Sequence, residues 1–258
     1  MNKTDVTVLI TVRNEQDYIG PTIDSILDQT YSNFSLWVID DGSTDSTWKV
    51  ISSFKDDRIK KWRFEKNAGM TKRLNWAIPQ IKTQFIARMD SHNLAHKDRL
   101  KLQHDFMLKH TKVMALGSNF SRITENGKVL METNFPQDYQ TIKDKLMERN
   151  IFKHASMFFR REIYDLVGLY DPYFKVAQDY DFVLRVATKF PIENLPNSLV
   201  TEIYRQKNMT QLFRVRSSWE ALVSQWYALT KYHYPKWQAI YLLRGLAFFG
   251  KSILFKIS

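Results

Sequence analysis

Hydrophobic runs and polar segments alternate regularly through the first 110 residues. Residues 6–10 form a continuous β-branched run, which is typical of a strand buried on both faces. Isoleucine and leucine then recur at helical spacing over residues 19–27, with a proline early in the segment. The same pattern predicts further strands at 34–39, 59–64 and 85–89 and further helices at 43–54 and 70–78. Strands that alternate with helices predict an α/β fold in which helices flank a mostly parallel central sheet.

The alternation loosens after residue 110. The Asn126-Gly127 pair lies between two apolar runs, 113–123 and 128–133, and favours a tight hairpin turn. Helical spacing returns at 139–148 and 178–188. No repeat or low-complexity linker interrupts the chain before about residue 212. We therefore predict one domain over residues 1–211 and a separate C-terminal tail.

The tail, residues 212–258, has a different character. One amphipathic stretch contains Trp219 and Trp226, and a second carries Lys236, Arg244 and Lys251 at spacings of eight and seven. These cations interrupt the apolar residues well short of the roughly 18–20 needed to span a bilayer. A basic helix with aromatic residues on its other face can lie in the membrane interface, so peripheral association with a membrane is one prediction. Packing on the main domain or on a second subunit is the alternative, and the sequence does not predict an oligomeric state.

The bulk composition narrows the class of protein. Hydrophobic residues make up 44% and charged residues 25%, as in ordinary globular proteins. Cysteine is absent, so we expect a reducing, cytoplasmic location, at the inner face of the cell membrane if the tail binds there. The net charge is +11, and residues 201–258 hold nine lysines and arginines against two glutamates. Because this excess lies in an amphipathic tail rather than among exposed aromatic residues of a sheet, we do not expect a nucleic-acid partner.

Polar residues follow three of the predicted strands, at 11–15, 40–43 and 90–92. Parallel strands end at the same edge of a sheet, where ligands collect, so these segments are expected to converge. Asp90 and His92 are two positions apart on extended chain and therefore point the same way. A carboxylate and an imidazole suit Mn²⁺ better than the all-oxygen set that Mg²⁺ prefers. The alternative is a polar turn in which Asp90 caps the next helix and His92 is solvated.

Three further positions carry candidate chemistry. One acid of the Asp40-Asp41 pair could accept hydrogen bonds from a base or a ribose. Lys72 and Arg73 lie in the first turn of a predicted helix, which is unfavourable for cations unless an anion such as a diphosphate is near; a solvated pair is the alternative. Asp179, near the start of the helix at 178–188, could cap that helix or act as a general base for a hydroxyl nucleophile.

Taken in order, these segments resemble the inverting glycosyltransferases of the family 2 type, which have the GT-A fold. The resemblance covers most of residues 5–210 and lies in four stretches: 8–47, 67–78, 86–100 and 168–187. It implies a nucleotide-binding half at 1–110 and an acceptor-side half at 111–211. The implied donor is a nucleotide-diphospho-sugar, most often UDP-linked, and the implied acceptor is a glycan or a lipid-linked glycan.

The resemblance also implies roles for single residues. Thr11, Arg13, Asn14 and Glu15 would hold the nucleoside, Asp41 would contact the base, Lys72 would lie near the phosphates, Asp90 and His92 would bind Mn²⁺ or Mg²⁺, and Asp179 would be the catalytic base. Two departures stand out. His92 replaces the usual second acid of the metal motif, and Lys207 replaces a histidine that can assist at the diphosphate, where it could neutralise phosphate directly. A nucleotide-sugar binding protein without catalysis is therefore the alternative function.

Overall fold

The computed structural model describes residues 4–204 and 214–257, with side chains through residue 253. The strands are β1 Val6–Val12, β2 Phe34–Asp41, β3 Ile59–Phe64, β4 Phe85–Asp90, β5 Asn93–Ala95, β6 Ala115–Ile123, β7 Val129–Glu132, β8 Phe158–Arg160 and β9 Ile192–Ile203. The α-helices are α1 Ile19–Leu27, α2 Thr47–Ser53, α3 Met70–Ala77, α4 Arg99–Lys109, α5 Tyr139–Leu146, α6 Ile163–Val167, α7 Gln178–Ala187, α8 Arg214–Thr230 and α9 Ile240–Ile257.

A single mixed sheet organises these elements in the order β3-β2-β1-β4-β8-β6-β9-β5, with β7 paired to β6. The four strands of the first 110 residues that sequence periodicity predicts, β1 to β4, are mutually parallel. Strand β8 enters antiparallel beside β4, and β6 and β9 then run parallel to each other. The predicted α/β architecture with a mostly parallel sheet is therefore confirmed.

The sheet is covered on both faces, which explains why its central strands read as unbroken apolar runs. Every residue of β1 is buried. Leu9 packs into one hydrophobic cluster, whereas Val8 and Ile10 on the opposite side of the strand pack into another. Alternate side chains of one strand thus contribute to two cores, as the two-residue period of a strand requires.

Two departures from the predicted elements have local causes. Helix α2 begins at Thr47 rather than at residue 43, because residues 43–46 form a loop that bonds to the β1–α1 loop. Strand β9 was not among the predicted elements, and it contains Pro196, which cannot donate a hydrogen bond to a neighbouring strand. The structure accommodates Pro196 and Asn197 as a bulge, with Leu195 opposite Ser118 and Ser198 opposite Asn119. The hairpin around Asn126-Gly127 is present as β6 and β7, and Gly127 has a φ of 83°.

The tail contains two helices that pack against each other and, through α8, against α7. Gly245 of α9 lies so close to α8 that a Cβ there would be 2.6 Å from Gln225 Oε1. Gln225 also donates from Nε2 to the backbone carbonyl of Met147, at 2.8 Å. Among the described residues, none of the helices has the length and apolar character needed to cross a bilayer.

Candidate active site

The three polar strand exits lie side by side at one edge of the sheet. Thr11 of β1 is in register with Asp90 of β4, and Val12 is in register with Asp40 of β2. Thr11 is buried, and its Oγ1 has no hydrogen-bond partner within residues 4–204 and 214–257. Buried hydroxyl groups normally have partners, so this one is suited to contact a bound ligand. The convergence inferred from the parallel pattern is thus present, and the nucleoside contact of Thr11 stays a prediction.

The loops after β1 and β2 hold each other. The backbone N–H of Asn14 donates to Ser43 Oγ at 3.0 Å, and the N–H of Thr44 donates to Asn14 Oδ1 at 2.9 Å. The N–H of Glu15 donates to Thr47 Oγ1 at 2.7 Å. Asn14 has a φ of 53°, in the left-handed region that asparagine tolerates better than most residues. Asn14 and Glu15 therefore shape the loop through protein contacts, and their predicted contacts with a nucleoside stay predictions.

The two adjacent acids at the end of β2 point to different partners. Asp40 is fully buried, and its Oδ1 accepts the N–H of Ser43 at 2.9 Å, which closes the loop. Its Oδ2 lies 3.8 Å from Arg63 Nε. Asp40 thus has a structural role in this loop.

Asp41 connects β2 to the start of α3. Its carboxylate accepts the N–H of Ala68 at 2.9 Å, the N–H of Gly69 at 2.7 Å and the Nε–H of Arg73 at 2.5 Å. The Arg73 guanidinium also lies 3.6 Å above the ring of Phe64. The sequence predicted an anion near the cations of this first turn, and for Arg73 that anion is Asp41. The predicted contact of Asp41 with a base stays a prediction, because the described contacts of its carboxylate are to the protein.

Three other cations were predicted to contact the nucleotide. Arg13 and Lys72 are both exposed. Lys207, which is predicted to neutralise phosphate, lies outside the described residues. The contacts of all three with a nucleotide stay predictions.

A fully buried arginine supports Asp90. Arg88 Nη2 lies 3.2 Å from Asp90 Oδ1, and Nη1 donates to the backbone carbonyl of Leu9. Burial by itself raises the pKa of the Asp90 carboxyl, but the positive charge of Arg88 and of neighbouring groups outweighs burial and holds this pKa below its usual value. Asp90 is therefore ionised at neutral pH, which is the state that a metal ligand requires.

Arg88 is itself held by a buried polar chain that the sequence did not reveal. Its Nε donates to His154 Nε2 at 3.3 Å, and the hydroxyl of Tyr170 lies 3.1 Å from the same nitrogen. Burial first, and then the charge of Arg88, lower the pKa of His154 to about 3, so the imidazole is neutral. Tyr164 extends the chain, with its hydroxyl 3.4 Å from that of Tyr170. Asp90, at the end of β4, is thus supported through Arg88 by β1 and by the segment 154–170.

Asp179 lies in the first turn of α7 and shares an electrostatic environment with Asp90. Asn150 Nδ2 donates to Asp179 Oδ2 at 3.1 Å. Burial, followed by the negative charge of Asp90, raises the pKa of Asp179 to about 6, whereas Lys153 acts in the opposite direction. A carboxyl with a pKa near the working pH is well suited to accept a proton in a reaction.

A second cluster beside these carboxylates was missed by sequence reasoning. Lys153 Nζ lies 2.8 Å from Glu202 Oε2, and Arg122 Nη2 lies 3.1 Å from the same oxygen. Lys153 also lowers the pKa values of Asp90 and Asp179, so it is near both. No local pattern marks these residues, since Lys153 and Glu202 are 49 positions apart in the sequence.

The predicted donor set for a metal is Asp90 and His92, and it stays a prediction. His92 is half-buried, and it is among the neighbouring groups that lower the pKa of Asp90, so the imidazole lies near the carboxylate. No group of three or more histidine, cysteine, aspartate or glutamate side chains in the described part of the chain could hold a metal by itself. One carboxylate oxygen and one imidazole nitrogen fit a divalent cation that completes its coordination with substrate oxygens.

Several solved structures share the fold of this chain. TarS of S. aureus, residues 1–349 in complex with UDP-GlcNAc, matches with a TM-score of 0.75 at 18% identity, over 94% of this chain and 71% of that one. The mannosyltransferase PcManGT from Pyrobaculum calidifontis, in complex with GDP-Man and Mn²⁺, matches with a TM-score of 0.68 at 18% identity, over 95% and 69% of the two chains. At this identity the likeness shows the fold, which is the GT-A fold of glycosyltransferases.

Sequence comparison identifies the family. The family model described as "Glycosyl transferase family 2" matches residues 7–168. The O-antigen biosynthesis glycosyltransferase WbnJ of Escherichia coli is 30% identical over 191 residues, which are 72% of this chain and 73% of WbnJ. The chain therefore belongs to glycosyl transferase family 2, and the resemblance inferred from its motifs is confirmed.

Proposed function

We propose that this protein is an inverting, metal-assisted glycosyltransferase that moves a sugar from a nucleotide-diphospho-sugar to an acceptor hydroxyl. The observation that carries the proposal is the placement of two carboxylates in different protonation environments at one site. Asp90 is held ionised by Arg88, whereas Asp179 has a raised pKa of about 6. Carboxyl groups whose environments separate their pKa values commonly divide binding and acid–base roles between them.

Asp179 takes the proton of the acceptor hydroxyl. The hydroxyl oxygen forms its bond to the anomeric carbon as the bond from that carbon to the diphosphate oxygen breaks, on the opposite face of the sugar. The proton ends on Asp179 and the electron pair on the leaving nucleoside diphosphate, so the anomeric centre is inverted. General-base assistance of this kind contributes roughly 10²–10⁴-fold to the rate.

Asp90 and His92 are the residues that would hold the divalent cation. When bound, the cation supplies Lewis-acid stabilisation of the negative charge that develops on the diphosphate. Lys153 lies near both carboxylates and adds a positive charge on the same side of the site. Asn150 orients the Asp179 carboxyl through its 3.1 Å hydrogen bond.

The relatives support a donor and an acceptor class. TarS is described with UDP-GlcNAc and PcManGT with GDP-Man and Mn²⁺, so the donor we infer is a UDP-sugar first and a GDP-sugar second. WbnJ is named for O-antigen biosynthesis, which supports a hexosyl or N-acetylhexosaminyl transfer to a growing cell-surface glycan, free or lipid-linked.

A catalytically inactive nucleotide-sugar binding protein is the second candidate, because His92 stands where the resemblance implies the second acid of the metal motif. A panel of nucleotide-sugars assayed for release of nucleoside diphosphate, with Mn²⁺ and with a chelator, separates the two functions. We expect Mn²⁺-dependent release from one donor, and a higher Mn²⁺ concentration for half-maximal activity in His92→Ala. Binding of a donor without metal-dependent release from any member of the panel would establish the binding protein instead.

A further inference from the structure

The largest concentration of exposed apolar side chains lies in the tail helices. Among the described residues, eight of the fourteen exposed large hydrophobic side chains belong to residues 214–253. The most exposed are Trp237 at 63% and Leu243 at 67%. Contiguous exposed apolar surface of this kind marks an interaction site in a soluble domain.

Helix α9 presents part of its apolar surface to solvent rather than to the protein. Gly245 and Ser252 face α8, where Ser252 Oγ lies 2.8 Å from Ser218 Oγ. Leu243, Leu246 and Gly250 recur at helical spacing on the other side, and both leucines are more than half exposed. The helix therefore has an outward apolar face, which is the reverse of an ordinary surface helix.

Cations flank this outward face. Arg244 and Lys251 are seven residues apart on one side of the helix, and Lys236 precedes it; all three are exposed. Arg244 Nη1 makes one long contact of 3.8 Å with Glu148, and its side chain remains 66% exposed. An apolar strip bordered by lysine and arginine matches a bilayer surface, in which acyl chains lie beneath anionic headgroups.

We propose that the outward face of α9, with Trp237, docks on an anionic lipid bilayer. The helix lies in the plane of the interface, its apolar strip in the acyl boundary and its cations at the phosphates. This placement would bring the active site to acceptors that are carried at a membrane, and it is independent of which sugar is transferred.

Sedimentation of the full chain with phosphatidylcholine vesicles, with and without phosphatidylglycerol, tests the proposal. We expect binding only to the anionic vesicles, and weaker binding as salt is raised. Leu243→Glu should lower the binding constant about tenfold or more, since it removes the burial of one leucine. Leu130→Glu is the matched control, because Leu130 on β7 is 47% exposed and lies outside the tail, and it should bind like the wild type.

Two results would overturn the proposal. One is equal binding of Leu243→Glu and wild type to anionic vesicles. The other is an absence of binding to the anionic vesicles. A wild-type dimer that Leu243→Glu dissociates in analytical ultracentrifugation would then make this face an interface between two copies.

A second inference rests on a different observation, the position of Glu220 in α8. Glu220 is buried, and its Oε2 accepts the backbone N–H groups of Lys175, Val176 and Ala177, at 2.9, 2.8 and 3.0 Å. Successive N–H groups that converge on one anion form a binding concavity of the kind called a nest. The anion in this nest is a side chain of the tail.

The three N–H groups belong to the segment that leads into α7 and Asp179. Neighbouring contacts hold the same helix from the tail side: the hydroxyl of Tyr232 donates to Asp181 Oδ1 at 2.7 Å. On the nucleotide-binding side, Thr71 Oγ1 donates to the carbonyl of Phe174 at 3.0 Å. The segment before Asp179 is thus fixed between α3 and the tail.

We infer that Glu220 is a positioning residue for Asp179, so that the tail forms part of the catalytic apparatus. This inference rests on the proposed role of Asp179 as the base. Loss of the carboxylate would free three backbone N–H groups and let the start of α7 shift relative to the acceptor. A small displacement of a reacting group is enough to cost about 10²-fold in rate.

Steady-state kinetics of Glu220→Gln test this inference. We expect kcat to fall about tenfold or more, with the KM for the donor within about twofold of the wild type, because the nucleotide site is untouched. In an Asp179→Asn background, Glu220→Gln should have little further effect, since both act through one group. Arg216→Gln is the matched control: it removes the ion pair at 2.6 Å but leaves the carboxylate on the three N–H groups.

The outcomes separate the two claims. Unchanged kcat in both Asp179→Asn and Glu220→Gln contradicts the proposed function. A large loss in Asp179→Asn with none in Glu220→Gln, or an equal loss from Glu220→Gln in either background, contradicts only the positioning role. Hydrogen exchange of the wild type needs no variant: rapid exchange of the Val176 and Ala177 amides would also contradict it.

Discussion

At the scale of single residues, the site depends on how buried charges are paired. Asp90 is half-buried but remains ionised because Arg88 lies beside it, whereas Asp179 lies near Asp90 and is held by the neutral amide of Asn150. The sequence predicted both carboxylates, since each directly follows a recognisable strand end or helix start. It did not predict Arg88 or Lys153 as their partners, because an arginine within an apolar strand and a lysine in a loop carry no periodic signal.

The raised pKa of Asp179 has a consequence for stability that can be measured. The carboxyl titrates at its ordinary value of 3.8 in the unfolded chain and at about 6 in the folded one. The folded state therefore holds the proton more firmly, and stability falls as pH rises through this range. Asp179→Asn removes that loss, so it should raise the melting temperature relative to wild type more at about pH 7.5 than at about pH 4.5.

Asp105→Asn is the control for this measurement. The hydrogen bond from Lys101 lowers the pKa of the exposed Asp105, so its effect should be small and of opposite sign. An identical shift of the melting temperature at both pH values in Asp179→Asn would contradict the raised pKa of this half-buried carboxyl.

At the scale of elements, the ends of β1, β2 and β4 and the loops after them form the side of the site that is proposed to bind the nucleotide. Gly42 allows the β2–α2 loop to approach the β3–α3 loop, with a φ of 72° and a position where a Cβ would lie 2.8 Å from the backbone N of Asn67. The same approach brings Asp41 onto the N–H groups of Ala68 and Gly69. The two loops therefore depend on one glycine.

Gly42→Ala should lower the free energy of unfolding by about 2–4 kcal/mol and weaken donor binding, because left-handed strain and a backbone clash act together. Gly127→Ala is the matched control, since Gly127 has a φ of 83° but no atom within 4 Å of the added Cβ. It should cost about 1 kcal/mol and leave donor binding unchanged. Chemical denaturation and donor titration measure both effects, and equal losses in the two variants would exclude the close approach as the cause.

The elements differ in how far the sequence predicts them. β1 to β4 and α1 to α3 carry their own periodicity, so they were predicted within a few residues. Strand β8 has only three residues, and β9 contains Pro196, so neither has a local signal. Their positions depend on pairing with β4 and β6, which are distant in sequence. For the same reason the sequence did not predict the part of the site that contains Lys153 and Glu202.

At the scale of the whole molecule, the tail packs against α7, the helix that carries Asp179. The predicted boundary at residue 211 falls within the stretch outside the described residues, and α8 beyond it packs on α7. Deleting residues 212–258 would therefore remove Glu220 together with the outward face of α9. Point substitutions such as Leu243→Glu and Glu220→Gln separate membrane docking from catalysis, which a truncation cannot do.

The pH dependence of kcat/KM for release of nucleoside diphosphate tests the central claim most directly, in the wild type and in Asp179→Asn with the same donor and Mn²⁺. We expect the wild-type value to rise with pH through about 6 and then level off, as Asp179 loses its proton. In Asp179→Asn the value should be about 10²–10⁴-fold lower and without that rise, while donor affinity is retained. A variant that keeps wild-type activity, or that shows the same rise with pH, would contradict the assignment of Asp179 as the base.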